Sequence, residues 1–216
     1  DDIRRHMLYF LENHDEQRIA SDFFAASGAK GVPALVVCAL MQQNPFMLYF
    51  GQELGERGMD REGYSGNDGR TTIFDYWSVD TVRRAAKGLL TEEEQRLAHI
   101  YNNVLNIARR EKAVGQGTMY DLMYANTQYR RQYAFIRKAG TEMLLVVANF
   151  DDVPLQMELT LPGHAFDFME IKEQDDCPAT DLLTGAGTTL TLKRDQTVTV
   201  ALQARGSVIY KITQKR

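Results

Sequence analysis

Met7-Leu8-Tyr9-Phe10-Leu11-Glu12-Asn13-His14-Asp15 is the stretch on which the fold turns. Its first four residues are an apolar run of strand length, and it ends in polar groups able to do chemistry. Polar residues at the C-terminal end of a buried strand are the arrangement from which α/β barrels build their active sites. Gln17 to Ala26 follows, with Ile19, Ala20, Phe23 and Phe24 at helical spacing, which predicts a helix. Gly28 and Gly31 punctuate the chain. Pro33 then suits the first turn of a second helix through Val36, Val37, Leu40 and Met41, which Asn44-Pro45 closes. Phe46 to Phe50 is a second apolar run, ending at Gly51-Gln52-Glu53. Strand, helix, strand in this order predicts parallel neighbours in a barrel or a doubly wound sheet.

Residues 54 to 80 read as a long polar and aromatic loop, of a length that is uncommon without a function. Thr91-Glu92-Glu93-Glu94 has capping-box spacing. Leu97, Ile100, Tyr101, Val104, Leu105 and Ala108 then trace one apolar stripe of a helix, with Arg109, Arg110 and Lys112 at its C-terminal end. From residue 113 the pattern becomes all-β. Leu155, Met157, Leu159 and Leu161 alternate with polar residues, and Leu190 to Leu192, Val198 to Leu202 and Val208 to Ile212 repeat that period. Met143 to Phe150 is apolar on both faces and predicts a central strand. The expected architecture is α/β followed by all-β: residues 1–112 in strand–helix units and residues 113–216 in an antiparallel β-sandwich.

The 216 residues allow one large domain or two small ones. A net charge of −4 gives no basic face for nucleic acid. The longest apolar stretches, such as Ala34 to Met41, fall well short of the ~20 residues of a membrane span. Two cysteines, Cys38 in an apolar helical run and Cys177 in a polar loop, are too few for a disulfide framework and read as free thiols. The chain opens on Asp1-Asp2, which suggests a piece of a longer protein. Its compartment stays open between cytoplasmic, periplasmic and extracellular.

Phe10 to Asp15 resembles the last sequence block of the α-amylase family of glycoside hydrolases, written F-x-x-N-H-D. Pro45 to Glu53, with its G-Q-E, and Asp68-Gly69-Arg70-Thr71-Thr72-Ile73-Phe74-Asp75-Tyr76-Trp77 are similar to further segments of that family. The resemblance implies a partial (β/α)8 barrel, namely its last two β/α units, followed by the family's C-terminal sandwich. It implies that Asp15 is one of three working carboxylates, the one that stabilises the transition state. His14 and Asn13 would bind the sugar, with Arg18 and Glu53 as weaker candidates. The family's G-x-R-x-D-type nucleophile block and its general-acid Glu are absent from this sequence. The fragment alone is therefore expected to be inactive, with the remainder of the barrel and a starch-like α-glucan or oligosaccharide as its partners. A transglycosylase or isomerase of the same family, or a non-catalytic carbohydrate-binding or structural module, are the alternatives.

The residues also admit plainer roles. Asp15 can cap the helix expected from Gln17, and Arg18 can form a surface ion pair with Glu12, Asp15 or Glu16. Glu53 can orient a neighbour rather than a ligand. Tyr64, Tyr76 and Trp77 can stack on sugar or pack against the barrel. Asp60, Glu62, Asn67 and Asp68 form an acidic loop without EF-hand spacing, so no metal is assigned and no cofactor is expected, although calcium favours such loops. His6 and His164 lack partners at ligand spacing. Two strands stripped of barrel neighbours leave open edges, which are expected to pair with another copy, to rearrange, or to depend on the sandwich and the 92–110 helix.

Overall fold

Two short strands, β1 (Tyr9–Phe10) and β2 (Phe46–Met47), run parallel, with Tyr9 opposite Phe46 and Phe10 opposite Met47. The connection between them contains helix α1 (Val32–Leu40), entered through a tight turn at Gly28–Gly31. A parallel pair needs such a crossover, because a hairpin turn cannot return the chain in the same direction. Helices α2 (Asp80–Ala86) and α3 (Glu92–Arg110) follow. The computed structural model describes residues 3–61 and 65–214. By internal contacts the chain divides into a first unit of residues 1–38 and 44–104 and a second of residues 39–43 and 105–216.

The first unit departs from the expected pattern in three places. Both strands are two residues long rather than four or five, and Phe10 is exposed rather than buried. The β1–β2 sheet has no third strand among the described residues, and no closed barrel is present among them. Residues 17–26 form successive turns, not a helix. Their backbone bonds run three, five or six residues back rather than four: the Ser21 amide donates to the Arg18 carbonyl, Ala26 to Ser21 and Ala25 to Ile19. Distant acceptors pin the start of the segment, the Ile19 amide donating to Glu12 Oε1 at 2.7 Å and the Arg18 amide to the Gly69 carbonyl at 2.7 Å. Gly69 makes that approach possible: its φ is +80°, and a Cβ there would meet the Ser21 side chain at 2.8 Å. Phe23 and Phe24 consequently face outward. Helix α2 begins at the last residue of the expected 54–80 loop and covers a stretch to which the sequence reading assigns no element.

The capping box forms as its spacing requires. The Glu94 amide donates to Thr91 Oγ1 at 3.3 Å and the Thr91 amide to Glu94 Oε2 at 2.8 Å. Arg84, from α2, also grips both Glu94 oxygens at 2.5 Å. These hydrogen bonds hold the Glu94 carboxyl below its ordinary value, against the opposing effect of partial burial. A lowered folded pKa means that the unfolded chain takes up the proton first. The stability contributed is full above an unfolded value near 4.5 and is lost as pH falls through the folded one. Glu94→Gln is expected to destabilise the first unit by about 1–2 kcal/mol at neutral pH and by much less at about pH 2. Urea unfolding at the two pH values checks this, and equal losses would contradict it.

In the second unit, α3 ends and a short helix α4 (Lys112–Gly115) leads into antiparallel strands. The first three are β3 (Thr118–Asp121), β4 (Gln132–Ala139) and β5 (Glu142–Asn149). Next come β6 (Leu155–Leu161), helix α5 (Gly163–Met169) and β7 (Gln174–Asp181). The last are β8 (Gly187–Leu192), β9 (Gln196–Leu202) and β10 (Ser207–Thr213). Six strands form one sheet in the order β3-β4-β5-β10-β7-β8, and β6 pairs with β9 in a second. Their facing residues share one core: Ile136, Leu145 and Val147 from the large sheet meet Met157, Leu159, Val198 and Val200 from the small one. β5 is central, as its unbroken apolar run requires.

Cys177 is not in a polar loop: it lies buried on β7, where Cys177, Ala179 and Asp181 alternate inward against exposed neighbours. Both cysteines are free thiols, as expected. Arg137 on β4 is buried without a carboxylate partner among the described residues. Its guanidinium donates to the carbonyls of Ala113, Met41 and Gly117 at 3.0 Å each and to that of Val114, and burial pulls its pKa down to about 10. One side chain thus satisfies the carbonyls with which α4 and the Met41 turn end.

Candidate active site

Parallel strands end on the same side, so the segments leaving β1 and β2 sit together. After Phe10 the chain is irregular through Arg18, which frees Asn13, His14 and Asp15 from strand alternation. Asn13 Oδ1 accepts the amides of Asp15 and Glu16 at 2.9 Å each. Asn13, rather than Asp15, therefore does the local capping. The Asp15 side chain is left 74% exposed, with His14 Nε2 at 3.5 Å from its Oδ1. The carboxylate is presented to solvent at the C-terminal end of β1, with an imidazole beside it.

Beneath this loop lies a buried polar cluster. Arg18 is 0% exposed. It donates to Glu12 Oε2 at 2.8 Å, to the Phe50 carbonyl at 2.9 Å and to Thr71 Oγ1 at 3.0 Å from Nε and 2.5 Å from Nη2. Its guanidinium also sits 4.3 Å from the centre of the Tyr49 ring. Arg18 thus clamps the segment after β1 to the segment after β2 and to the long loop. This corrects both sequence readings of Arg18: it is not a surface ion pair, and it has no face open to a ligand. Burial pushes the Glu12 carboxyl up, opposed by the Arg18 charge and by the hydrogen bonds from Arg18 and the Ile19 amide.

Glu53 sits in a tight turn just after β2. Its Oε2 is buried with no hydrogen-bond partner among the described residues. Neighbouring Gln52 accepts the Tyr49 amide at 3.4 Å and donates to the Tyr101 hydroxyl at 3.1 Å. Tyr76 and Trp77 are exposed rather than packed. Tyr64 and Glu62 lie outside the described residues. Of the acidic loop, Asp68 pairs with Arg70 at 2.9 Å. Among the described residues no three His, Cys, Asp or Glu side chains converge as metal ligands. His6 is exposed, and His164 is bonded to Tyr120 in the second unit.

Two buried carboxylates of the 54–80 loop have no role in the sequence reading. Glu56 accepts the Gly58 amide at 2.8 Å and the Thr81 hydroxyl at 2.5 Å. Asp75 accepts the Thr72 amide at 2.7 Å and the Thr72 hydroxyl at 2.8 Å. They shape the 54–80 loop from within. The Thr72-x-x-Asp75 spacing, typical of local side-chain-to-backbone bonding, was the available signal for the second. A cavity of about 520 Å³ in the first unit is lined by Ala26, Gly28, Leu54, Thr91, Leu97 and Ile100 among others, and by none of Asn13, His14, Asp15, Arg18 and Glu53. The candidate site is instead an open surface, with one carboxylate and one imidazole displayed above a buried, hydrogen-bonded base. Such a surface can accept hydrogen bonds from hydroxyls, but among the described residues it holds no second carboxylate positioned for acid or nucleophilic work.

No protein-family profile and no curated protein sequence matches the chain. Solved structures do. A noncanonic maltogenic α-amylase, AmyB from Thermotoga neapolitana, superposes with a TM-score of 0.66 at 15% identity, over 97% of this chain and 42% of its own. An α-amylase from Geobacillus thermoleovorans, solved with acarbose, gives 0.62 at 13% identity, over 98% and 40%. A mutant of the trehalose-6-phosphate hydrolase of Bacillus licheniformis gives 0.62 at 17% identity, over 96% and 43%. The chain spans about two fifths of the length of these proteins. At such identities the likeness is one of fold, shared with about two fifths of each of these α-amylase-type proteins.

Proposed function

We propose that the chain is the C-terminal portion of a retaining, α-glucan-acting glycoside hydrolase. In this reading β1 and β2 are the last two strands of a (β/α)8 barrel, and residues 113–216 are its C-terminal β-sandwich. One observation carries the proposal: Asp15 is an exposed carboxylate at the C-terminal end of a parallel strand, the position from which barrel enzymes act. Retaining cleavage needs a nucleophile and an acid/base carboxyl about 5–5.5 Å apart. Asp15 is neither. It accepts hydrogen bonds from ring hydroxyls of the sugar at the cleavage point, and bonds that tighten as the ring distorts lower the barrier. Its negative charge also helps to keep a nearby general acid protonated. His14 donates to the same sugar.

Two further features support the remainder of a barrel as the missing partner. Met7, Leu8, Phe10 and Leu48, on and beside the two strands, are exposed although apolar. Glu53 Oε2 is buried and unsatisfied among the described residues, a cost that a partner donor relieves. The reaction is tested by assaying residues 1–216 and the complete reading frame on maltooligosaccharides and on trehalose 6-phosphate. The complete enzyme should release reducing sugar and the 216-residue chain none. Turnover by the short chain, or inertness of both, contradicts the proposal.

A further inference from the structure

In the second unit, four rings from three segments meet at the surface. Tyr120 comes from β3, Tyr124 from the turn after it, and His164 and Phe168 from α5. Tyr120 is 7% exposed, and its hydroxyl lies 2.6 Å from the Tyr124 hydroxyl and 2.8 Å from His164 Nδ1. Its ring centre is 6.0 Å from that of Tyr124, edge-on, and 5.7 Å from that of Phe168. His164 and Phe168, one helical turn apart, hold their rings within 21° of parallel at 6.1 Å. Above this base Tyr124 is 57% exposed and Phe168 55%.

Single exposed aromatics are ordinary, but these are contiguous and fixed. A buried phenol ties down two surface side chains at once, so they are ordered before any ligand arrives, which removes part of the usual binding cost. The exposed surface combines apolar ring faces with a hydroxyl and an imidazole at their edge. The acid beside it, Asp167, is neutralised by Arg194 at 2.6 Å. Apolar faces, hydroxyl-directed polar groups and a compensated charge suit a neutral pyranose. Its C–H face stacks on an aromatic ring, and its hydroxyls bond at the rim.

We propose that Tyr124, Phe168 and His164 form a binding site for a sugar ring of an oligosaccharide. That the oligosaccharide is an α-glucan rests on the function proposed above; that it is a neutral sugar rests on these side chains.

The test titrates the 216-residue chain with maltohexaose and with cellohexaose, by calorimetry and NMR. Weak binding of maltohexaose is expected, reduced at least about tenfold by Tyr124→Ala and by Phe168→Ala. Both side chains are more than half exposed, so thermal midpoints should not move. Should an alanine variant unfold, Tyr124→Leu and Phe168→Leu keep bulk without the flat face and must show the same loss. Binding of cellohexaose alone, lost in the same variants, supports the sugar site and overturns the α-glucan reading. No binding of either sugar, or binding undiminished in folded variants, overturns the site. So does a patch whose substitution abolishes only self-association, which would assign it to a second copy of the chain.

Discussion

Asp15→Asn in the complete enzyme is expected to lower kcat on maltooligosaccharides by about three orders of magnitude, roughly 4 kcal/mol of barrier, with folding unchanged. Both halves follow from the same geometry. The carboxylate is exposed, and the local turn is capped by Asn13, so the isosteric amide removes no structural hydrogen bond. Stability should move by less than about 0.5 kcal/mol. The amide does remove the negative charge and one acceptor facing the distorted sugar. If the interaction strengthens in the transition state, kcat falls more than KM rises. Near-normal kcat in a folded D15N enzyme would remove Asp15 from the chemistry. A loss of activity that tracks a loss of fold would make it structural.

Arg18→Met should destabilise the first unit by about 3–5 kcal/mol. The guanidinium has no solvent to fall back on and joins Glu12, Phe50 and Thr71. Removing it leaves the Glu12 carboxylate buried beside the Ile19 amide, and an uncompensated buried charge is the costly part. Glu12→Gln in the same chain should therefore recover a substantial share of the loss. Guanidinium unfolding of the two single variants and the double variant measures the coupling. A simple sum of the two single losses would show that Arg18 and Glu12 do not depend on each other. In the complete enzyme R18M should also depress kcat, because the loop bearing Asp15 loses its base.

What could be read in the sequence was local. The Thr91–Glu94 box and the stripe from Leu97 to Ala108 are settled by neighbours three and four residues apart, and both form. The unbroken run of β5 marks its central place in the sheet. What could not be read depends on distant partners. Residues 17–26 carry a helical apolar pattern, yet their amides bond three, five or six residues back, and Gly69 and Glu12 pin the start of the segment. Arg18 looks like one more charge in an acidic stretch until Thr71, 53 positions later, reaches it. β7 reads as polar because its inward positions are the small Cys177 and Ala179 and the hydrogen-bonded Asp181. The aromatic surface of Tyr120, Tyr124, His164 and Phe168 is scattered over residues 120–168, so no run of aromatics announces it. At the candidate active site, Asn13-His14-Asp15 was legible as a motif. The division of labour within it, Asn13 capping while Asp15 stays exposed, is set by the folded turn and not by the spacing.

That Asp15 faces the sugar ring at the point of cleavage is tested most directly by a crystal structure of the complete enzyme with acarbose bound. An Asp15 carboxylate oxygen is expected within about 2.5–3.0 Å of a ring hydroxyl of the sugar at the cleavage point. An Asp15 side chain turned to bulk solvent, or more than about 6 Å from every sugar atom, would contradict it.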